Sequence, residues 1–501
     1  MRPPCLAVPR PCSWACTPRN LLLQALRSLP HLPPQTPPPQ PQQQRCLLSS
    51  LSHSKRPQRL LTLAIETSCD DTCVTVLEKD AGTGGAAYLR FNGKVTSDNR
   101  QFRGVHPTTA VVSHTRHLAA MVREATRAFP EVSEGDNITE GITSAEDVIW
   151  VEGQARKKPD FVTVTRGPGM LSNLSTGLNT AKGLAVAWDV PLLGVNHMQA
   201  HALTPRLVSA LEAGKREGPQ EGDQRDDQRP TENPEPTPTF PFLSLLVSGG
   251  HSLLVLSRSL NNHAILAEAQ NIAIGDMLDK CAREIVPPSE IAAGENVMYG
   301  PLLERFAFPD SEYDYEYKPP ATRADEIQIY NSGHGWVLTP PLSGTTAMSY
   351  EFAGLNGQVL KVLLEHPTMD ILERRLLAKH AMRLAFEHLA SRLILALSND
   401  HALQDIRTVV VAGGVASNRY LMHILRSVLD ARGHGHVELV CPPLPLCTDN
   451  AAMIAWTGME MYEAGWRSGL DVLAIRKWPL DPEVEGGILG ASGWRNVQDG
   501  K

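Results

Sequence analysis

The chain has 501 residues, of which 42% are hydrophobic and 20% charged, so it can bury a large core and form more than one domain. No apolar run is long enough to span a bilayer, and we expect no membrane-embedded segment. The formal net charge is -7, which excludes a protein that is basic overall; a nucleic acid would have to bind a local basic patch.

The first 60 residues form a basic leader. They contain eight Arg and Lys residues and no acid, since the first acidic residue is Glu66. This composition, with the Arg-bearing apolar stretch "RNLLLQALRSL", is typical of a mitochondrial transit peptide, and plain low-complexity disorder is the alternative. We therefore predict import into the mitochondrial matrix.

The folded part opens with "LLTLAIETSCDDTCVTVLEKD", which predicts a buried strand, a polar turn with Ser68, Asp70 and Asp71, and a second strand. The next helix, in "RGPGMLSNLSTGLNTAKGLAVAW", has an apolar stripe, and its Gly177 and Gly183 would allow a neighbour to approach closely.

In "GVNHMQAHAL", His197 and His201 are four residues apart, so a helix places both on one face. This spacing suits a metal site, although both could be satisfied core residues. The H-E-x-x-H pattern of zinc peptidases has a glutamate after the first histidine, and here Met198 takes that place. The pair therefore indicates a metal without the adjacent base of a peptidase.

A second hairpin is predicted in "FPFLSLLVSGGHSLLVLSRS", whose turn holds Ser248, Gly249 and Gly250. It repeats the plan of the first, which predicts two similar halves. If the two turns face each other, their side chains and amides could surround a phosphate-bearing ligand, with the aspartates placing a metal, a water or a nucleophile. Ordinary hairpin geometry is the alternative for each turn.

Further on, Arg374 to Leu397 has helical periodicity, and "IRTVVVAGGVASNRYLMHILRSVLDARG" predicts strand, glycine turn and helix, a common nucleotide-site plan. Neither a P-loop nor G-x-G-x-x-G is present, which disfavours a Walker ATPase and a Rossmann dehydrogenase. Asp449 in "CTDNAAMIAW" could be a third metal ligand or a helix cap. Two histidines and one carboxylate suit iron or zinc and leave positions open.

The cysteines form no C-x-x-C pair, so the sequence indicates neither a zinc ribbon nor a disulfide framework. We predict five segments along the chain. They are a leader (1–60), an N-terminal lobe (61–213), a disordered, proline-rich insertion (214–239), a C-terminal lobe (240–480) and a tail (481–501).

Seven motifs in this order resemble the tRNA N6-adenosine threonylcarbamoyltransferase family, once described as O-sialoglycoprotein endopeptidases. They are "AIETSCDDT", "TRGPGMLSNLSTGLNTAKGLA", "GVNHMQAHAL", "PFLSLLVSGGHSLLV", "GDMLDKCAR", "VVAGGVASNRYL" and "CTDNAAMIAW". The resemblance extends from about Leu61 to about Gly465, interrupted by insertions, and the leader points to the mitochondrial branch.

This resemblance implies an α/β protein with the two-lobed actin, sugar kinase and Hsp70-like fold, each lobe built on a five-stranded sheet beside a cleft. It implies one divalent metal ion per subunit, iron or zinc, held by His197, His201 and Asp449. The substrate-binding positions that it implies are Leu246, Val247, Ser248, Gly249, Gly250, Asp279, Gly300 and Asn418. The family usually has a Gly-Gly pair where this chain has Tyr299 and Gly300.

The implied reaction transfers a threonylcarbamoyl group from L-threonylcarbamoyladenylate to the N6 amine of adenosine 37, releasing AMP. Its targets would be mitochondrial tRNAs that read codons beginning with adenine. A separate synthase would supply the adenylate, and the protein would act as a homodimer. We expect Asp70 or Asp71 to remove the proton, and the Arg and Lys residues of "HTRHLAAMVREATR" and "IRKWPL" are candidates for tRNA contact.

Three other interpretations compete. A sugar or acid kinase shares the fold but has no use for a bis-histidine metal site. A metallopeptidase would explain the histidines but lacks the base. A non-catalytic scaffold of a modification complex would tolerate loss of the metal triad, which is intact in this sequence.

Overall fold

The structure, a computed structural model, describes residues 59–80, 85–102, 104–132, 147–217, 235–292, 299–309 and 315–498. Residues 1–58 of the predicted leader and 218–234 of the predicted insertion lie outside this part. None of the helices it describes is both long and apolar enough to cross a membrane.

Sixteen strands are found in the described residues. They are β1 (Arg59–Glu66), β2 (Asp71–Asp80), β3 (Ala87–Thr96), β4 (Val148–Val151), β5 (Gln154–Lys157), β6 (Phe161–Gly167), β7 (Leu192–Asn196), β8 (Phe242–Val247), β9 (Ser252–Ser259), β10 (Asn262–Glu268), β11 (Tyr330–Asn331), β12 (Val337–Leu338), β13 (Thr408–Ala412), β14 (Glu438–Val440), β15 (Trp466–Ser468) and β16 (Trp494–Asn496).

The same part of the chain forms twelve α-helices. They are α1 (Pro107–Arg127), α2 (Leu171–Trp188), α3 (His197–Glu217), α4 (Ile274–Ile285), α5 (Pro288–Ala292), α6 (Tyr299–Ala307), α7 (Arg323–Glu326), α8 (Ala353–Glu365), α9 (Ile371–Asn399), α10 (Arg419–Ala431), α11 (Leu444–Cys447) and α12 (Ala451–Glu463).

The two large sheets repeat one topology. The first contains the order β7-β6-β1-β2-β3 and the second is β14-β13-β8-β9-β10. In the first sheet, β1 pairs antiparallel with β2 and parallel with β6. In the second sheet, β8 likewise pairs antiparallel with β9 and parallel with β13. The predicted hairpins, the two similar halves and the actin, sugar kinase and Hsp70-like fold are confirmed.

The first sheet has seven strands, not the five that the resemblance implies. After α12 the chain returns to this sheet, where β15 pairs with β7 and β16 pairs with β15. The Ser468 hydroxyl also accepts a hydrogen bond of 2.9 Å from Gly194 N. These short strands cover an edge that would otherwise expose unpaired backbone groups.

Helices cover both faces of each sheet. On the first sheet, alternate β1 residues such as Leu63 and Ile65 pack against α1 and α2, while Ala64 faces the opposite side. α3 and α12 pack in a core that contains residues of both sheets, and α4, α9 and α10 cover the far face of the second sheet. The expected close approach is found at Gly177, beside Thr67, whereas Gly183 is exposed with open space around it.

α12 lies against β1 and β2, so the segment Ala451–Ser468 joins the first sheet although it follows the second in sequence. α3 continues to Glu217, inside the predicted insertion, and β16 lies inside the predicted tail. The lobe boundaries given above remain predictions.

Candidate active site

His197 and His201 begin α3 directly after β7. The side chain of Asn196 caps this helix, because its Oδ1 accepts hydrogen bonds from the backbone N–H groups of Met198 and Gln199. Both imidazoles are buried, and their ring centroids lie 4.7 Å apart. The predicted helical face with two histidines is therefore present.

Asp449 meets these histidines from a different element. Its Oδ1 lies 3.5 Å from His197 Nε2 and 3.1 Å from His201 Nε2. The capping role considered for Asp449 falls to the next residue, since Asn450 Oδ1 accepts the bond from Met453 N at the start of α12. This cap leaves the Asp449 carboxylate directed at the histidines.

These three side chains fit a metal ion. One donor atom from each lies within 4.8 Å of the others. Bonds of about 2.0–2.2 Å to a shared ion would leave donors roughly 3–3.5 Å apart, as the two separations from Asp449 are. His201 Nδ1 is buried and has no hydrogen-bond partner among the described residues. Two nitrogens and one oxygen form a possible metal site with coordination positions left over.

Burial and neighbouring charges together shift the pKa values of His197, His201 and Asp449. Burial alone would lower the pKa of His197, but the carboxylates of Glu66 and Asp449 outweigh it and raise the pKa to about 10. Burial lowers the pKa of His201. Although burial opposes it, the two histidines hold the pKa of Asp449 well below its usual range. These directions describe the protein without an ion, which would take the place of the shared protons.

The polar turn between β1 and β2 lies next to the histidines, with Ser68 Oγ 3.4 Å from His197 Nδ1. Two helices hold this turn through the carbonyl oxygen of Cys69. It accepts hydrogen bonds from Asn173 Nδ2 at 2.5 Å and from His114 Nε2 at 3.0 Å. The buried His114 is a structural support that the sequence analysis did not select.

The two aspartates of this turn differ. Asp71 is bound at 2.5 Å by Lys94 Nζ and at 2.5 Å by Thr96 Oγ1. Asp70 has a long contact of 3.5 Å with Asn99 Nδ2 and a hydrogen bond with the Cys69 thiol, but it forms no ion pair with any described residue. Burial, then the negative charges of Asp71 and Asp449, raise the pKa of Asp70 to about 6. Asp70 is thus the carboxylate with the freer oxygens and the greater proton affinity.

Sequence reasoning also missed Lys94. Its ammonium group, besides binding Asp71, donates to the backbone oxygen of Asp449 at 3.1 Å and to Thr448 Oγ1 at 3.3 Å. A lysine on an alternating strand such as β3 is normally solvated, so the residue pattern held no signal for this contact. Lys94 links the aspartate turn to the segment that carries the candidate metal ligand.

The turn between β8 and β9 has open space beside its backbone. Leu246 and Val247 end β8 in the core, and a Cβ added at Gly249 or Gly250 would meet nothing within 4 Å. The Ser248 hydroxyl accepts hydrogen bonds from Gly250 N at 3.3 Å and from His251 N at 3.1 Å. Burial, followed by repulsion from His197 and His201, lowers the pKa of His251 to about 4. His251 is a further group near the candidate metal site that the sequence reasoning left out.

The other expected substrate positions lie on helices of the second half. Asp279 Oδ1 on α4 accepts a hydrogen bond of 2.9 Å from Gly300 N, and burial raises the pKa of Asp279 to about 6. Tyr299, the departure from the Gly-Gly pair, begins α6 with its ring in the core. Asn418 caps α10, with Oδ1 accepting from Leu421 N at 3.0 Å, which leaves its amide Nδ2 as a donor.

The comparisons with known proteins agree on one family. The model described as TsaD: tRNA N6-adenosine threonylcarbamoyltransferase matches residues 142–216 and 229–456. A relative from Schizosaccharomyces pombe, the tRNA N6-adenosine threonylcarbamoyltransferase, mitochondrial, is 32% identical, covering 92% of this chain and 95% of that protein. The tRNA N6-adenosine threonylcarbamoyltransferase of Sphingopyxis alaskensis is also 32% identical, covering 85% of this chain and 97% of that protein.

Among solved structures, T. kodakarensis HypF matches with a TM-score of 0.40 and 13% identity, covering 82% of this chain and 49% of that one.

Proposed function

This chain belongs to the tRNA N6-adenosine threonylcarbamoyltransferase family and is a transferase of tRNA threonylcarbamoyl modification, and on that premise we propose its substrates and site residues. The donor is L-threonylcarbamoyladenylate, and the acceptor is the N6 amine of adenosine 37 in mitochondrial tRNAs that read codons beginning with adenine. The observation that carries the proposal is the meeting of a carboxylate turn with a buried His-His-Asp cluster.

The transfer needs a nucleophile, a leaving group and a proton acceptor. The N6 lone pair attacks the carbamoyl carbon and a C–N bond forms. The bond from this carbon to the phosphate oxygen breaks, and AMP leaves with the electron pair. The site has to align these atoms and accept one proton from the amine.

Asp70 accepts that proton. Its pKa of about 6 leaves it ionised at neutral pH and basic enough to take a proton in the transition state. Asp71 is already engaged by Lys94 and Thr96, and its role is to hold the turn against Asp449 through Lys94.

One divalent ion per subunit, iron or zinc, is held by His197, His201 and Asp449. When bound, such an ion acts as a Lewis acid on a substrate oxygen. The reaction also explains why no glutamate follows His197. In zinc peptidases that glutamate is the general base, whereas here the attacking amine comes from the tRNA and no water has to be activated. The surrounding protein keeps both imidazoles buried and therefore dry.

The second half binds the adenylate. Ser248 offers its hydroxyl proton and Gly249 its backbone N–H group to a phosphate, and Gly249 and Gly250 leave open space for it at the end of the strand that Leu246 and Val247 complete. Asp279, whose carboxylate accepts hydrogen bonds from the backbone N–H groups of Gly300 and Tyr299, accepts further hydrogen bonds from ribose hydroxyls. The Asn418 amide N–H group donates to the base or sugar edge.

The tRNA approaches over the segment that carries Arg476 and Lys477, which are exposed and form no ion pair with any described residue. The Arg476 carbonyl accepts a hydrogen bond from Gly169 N, and the Trp478 carbonyl accepts one from Asn196 Nδ2 at 3.2 Å. Asn196 directly precedes His197, so the two cations are anchored beside the reaction centre. On α1, the other candidate segment, Arg127 pairs with Glu152 at 2.6 Å.

The adenylate has to come from a separate enzyme that condenses threonine, bicarbonate and ATP. The basic leader and the relative named mitochondrial support a place in the mitochondrial matrix, and the family resemblance alone supports a homodimer. Light scattering and an import assay with isolated mitochondria measure these two properties.

The test of the function uses fresh threonylcarbamoyladenylate and an unmodified tRNA that carries adenosine 37. Digested nucleosides are analysed by mass spectrometry for the added threonylcarbamoyl mass. We expect modification by the wild-type protein and none by His197→Ala. A folded wild-type protein that binds tRNA but never modifies it would favour a scaffold instead.

A further inference from the structure

A buried glutamate stands behind one of the candidate metal ligands. Glu66 ends β1 and is 1% exposed, and its Oε2 lies 3.0 Å from His197 Nδ1. Its Oε1 accepts a hydrogen bond from Ser68 N, and Thr165 Oγ1 donates to Oε2. Three donors therefore fix the orientation of this carboxylate.

This contact determines which nitrogen of His197 carries hydrogen. A carboxylate accepts hydrogen bonds, so Nδ1 bears the proton and donates to Glu66. Nε2, on the opposite edge of the ring and 3.5 Å from Asp449, is then the nitrogen whose proton an ion would replace. The ring is thus set for Nε2 to bind an ion.

His201 has no such support. Its Nε2 also faces Asp449, at 3.1 Å, but its Nδ1 has no hydrogen-bond partner among the described residues. The two imidazoles are therefore unequal, although their spacing in the sequence suggests equivalent ligands. Both Nε2 atoms face Asp449, but of the two Nδ1 atoms, the one that a charged group of the described residues holds is that of His197.

We propose that Glu66 is the positioning residue of the metal centre, holding His197 in the tautomer and orientation that lets Nε2 bind the ion. This inference rests on the proposed metal centre and adds the group that prepares it. Glu66 contacts neither substrate nor ion. Carboxylates that bind the outer nitrogen of a ligating histidine commonly change metal affinity by about 10- to 100-fold when removed.

A purely structural role is the competing explanation. The contact joins the end of β1 to the start of α3, and a buried carboxylate with an imidazole could simply hold these elements together. Removing it would then lower thermal stability and leave the metal affinity of the folded protein unchanged. Metal affinity therefore separates the two roles.

The experiment measures binding of Co²⁺ to the full-length, metal-depleted protein, by chelator competition and by visible absorption. Glu66→Gln removes the charge at nearly constant volume. Its matched control is Glu460→Gln, a buried glutamate of α12 that binds Arg206 at 2.8 Å and lies outside the proposed site. Glu66→Asp keeps the charge and shortens the reach to His197.

We expect Glu66→Gln to weaken Co²⁺ binding by about 10- to 100-fold and to alter the absorption bands, with Glu66→Asp between it and wild type. Glu460→Gln should bind Co²⁺ as wild type does. If Glu66→Gln fails to fold, a loss of affinity of at least about threefold in Glu66→Asp supports the role.

Folded Glu66 variants with wild-type Co²⁺ affinity and spectrum would overturn the inference, whatever their melting temperatures. His197→Ala, measured alongside, tests the premise separately. If that variant also binds Co²⁺ as wild type does, the metal centre itself is wrong, irrespective of Glu66.

Discussion

The two hairpin turns occupy equivalent places in sheets of the same topology, but they differ in chemistry. The turn after β1 carries Ser68, Asp70 and Asp71, and it is held by side chains from α1 and α2. The turn after β8 carries Ser248, Gly249 and Gly250 and leaves open space beside its backbone. In the proposed mechanism, one scaffold therefore presents a carboxylate for proton transfer at one turn and a phosphate-binding turn at the other.

We expect the largest effect from a change in the proposed metal site beside the first turn. His201→Ala removes a donor, and losing about 4 kcal/mol of transition-state stabilisation would slow the transfer by about 1000-fold. Single-turnover kinetics and metal content by mass spectrometry measure the effect. His263→Ala, a buried histidine bound to Ser257 Oγ at 3.0 Å, is the matched control and should keep its metal. Full activity of a metal-free His201→Ala protein would contradict the assignment.

The next effect separates Asp70 from Asp71. With a pKa of about 6, Asp70 is protonated at lower pH and cannot accept a proton, so the transfer rate should fall about tenfold per pH unit below pH 6. The charged groups that contribute to this value are Asp71 and Asp449, while hydrogen bonding by Cys69 opposes it.

The pH profile of single turnovers is measured for wild type, Asp70→Asn and Asp71→Asn. Asp70→Asn should be at least about 100-fold slower at pH 7.5 and should lose the inflection near pH 6. An inflection that persists in Asp70→Asn but vanishes in Asp71→Asn would assign the base to Asp71 instead.

A smaller effect compares a crowded glycine with an open one. A methyl group at Gly177 would collide with Thr67 Oγ1, which is held by its bond to Asn173 O at 2.9 Å. Gly177→Ala should therefore lower the free energy of unfolding by about 1–3 kcal/mol. Gly250→Ala should change it by less than about 0.5 kcal/mol. Urea unfolding measures both, and equal losses would show that the second turn is not open.

The smallest effect concerns the tRNA. Arg476→Ala with Lys477→Ala should weaken tRNA binding by about tenfold and reduce the slope of log affinity against log salt by about 1–2. Filter binding at several salt concentrations measures this. The control is Arg258→Ala with Lys361→Ala, two exposed cations of the second half. The same slope in both double variants would exclude Arg476 and Lys477 from the tRNA surface.

Much of the fold could be predicted from local patterns. The buried runs of β1 and β8, the stripe of α2 and the apolar face of α10 depend on neighbouring residues, and all are present. β15 and β16 could not be predicted, because a strand of three residues shows little periodicity. Their pairing also depends on the direction in which the chain continues after α12.

The site was less accessible to sequence reasoning. Spacing suggested His197 and His201. For Asp449, 248 residues beyond His201, the residues left a metal ligand and a helix cap open, and the family resemblance implied the ligand. That Asn450 is the cap and Asp449 the candidate ligand is decided by helix geometry. For Glu66 a signal did exist, since a glutamate at the end of a mostly apolar, buried strand needs a partner.

The most direct test of the division between the two turns measures adenylate binding and single-turnover transfer in Asp70→Asn and in Gly250→Val. A Cβ at position 250 meets nothing within 4 Å, and a valine side chain there would occupy the place proposed for the phosphate. We predict that Asp70→Asn binds the adenylate like wild type and transfers at least about 100-fold more slowly. Gly250→Val should bind it at least about tenfold more weakly yet keep most of its rate at saturation. If both variants lose binding and rate in equal proportion, the separate roles proposed for the two turns, proton transfer by Asp70 and phosphate binding beside Gly250, are wrong.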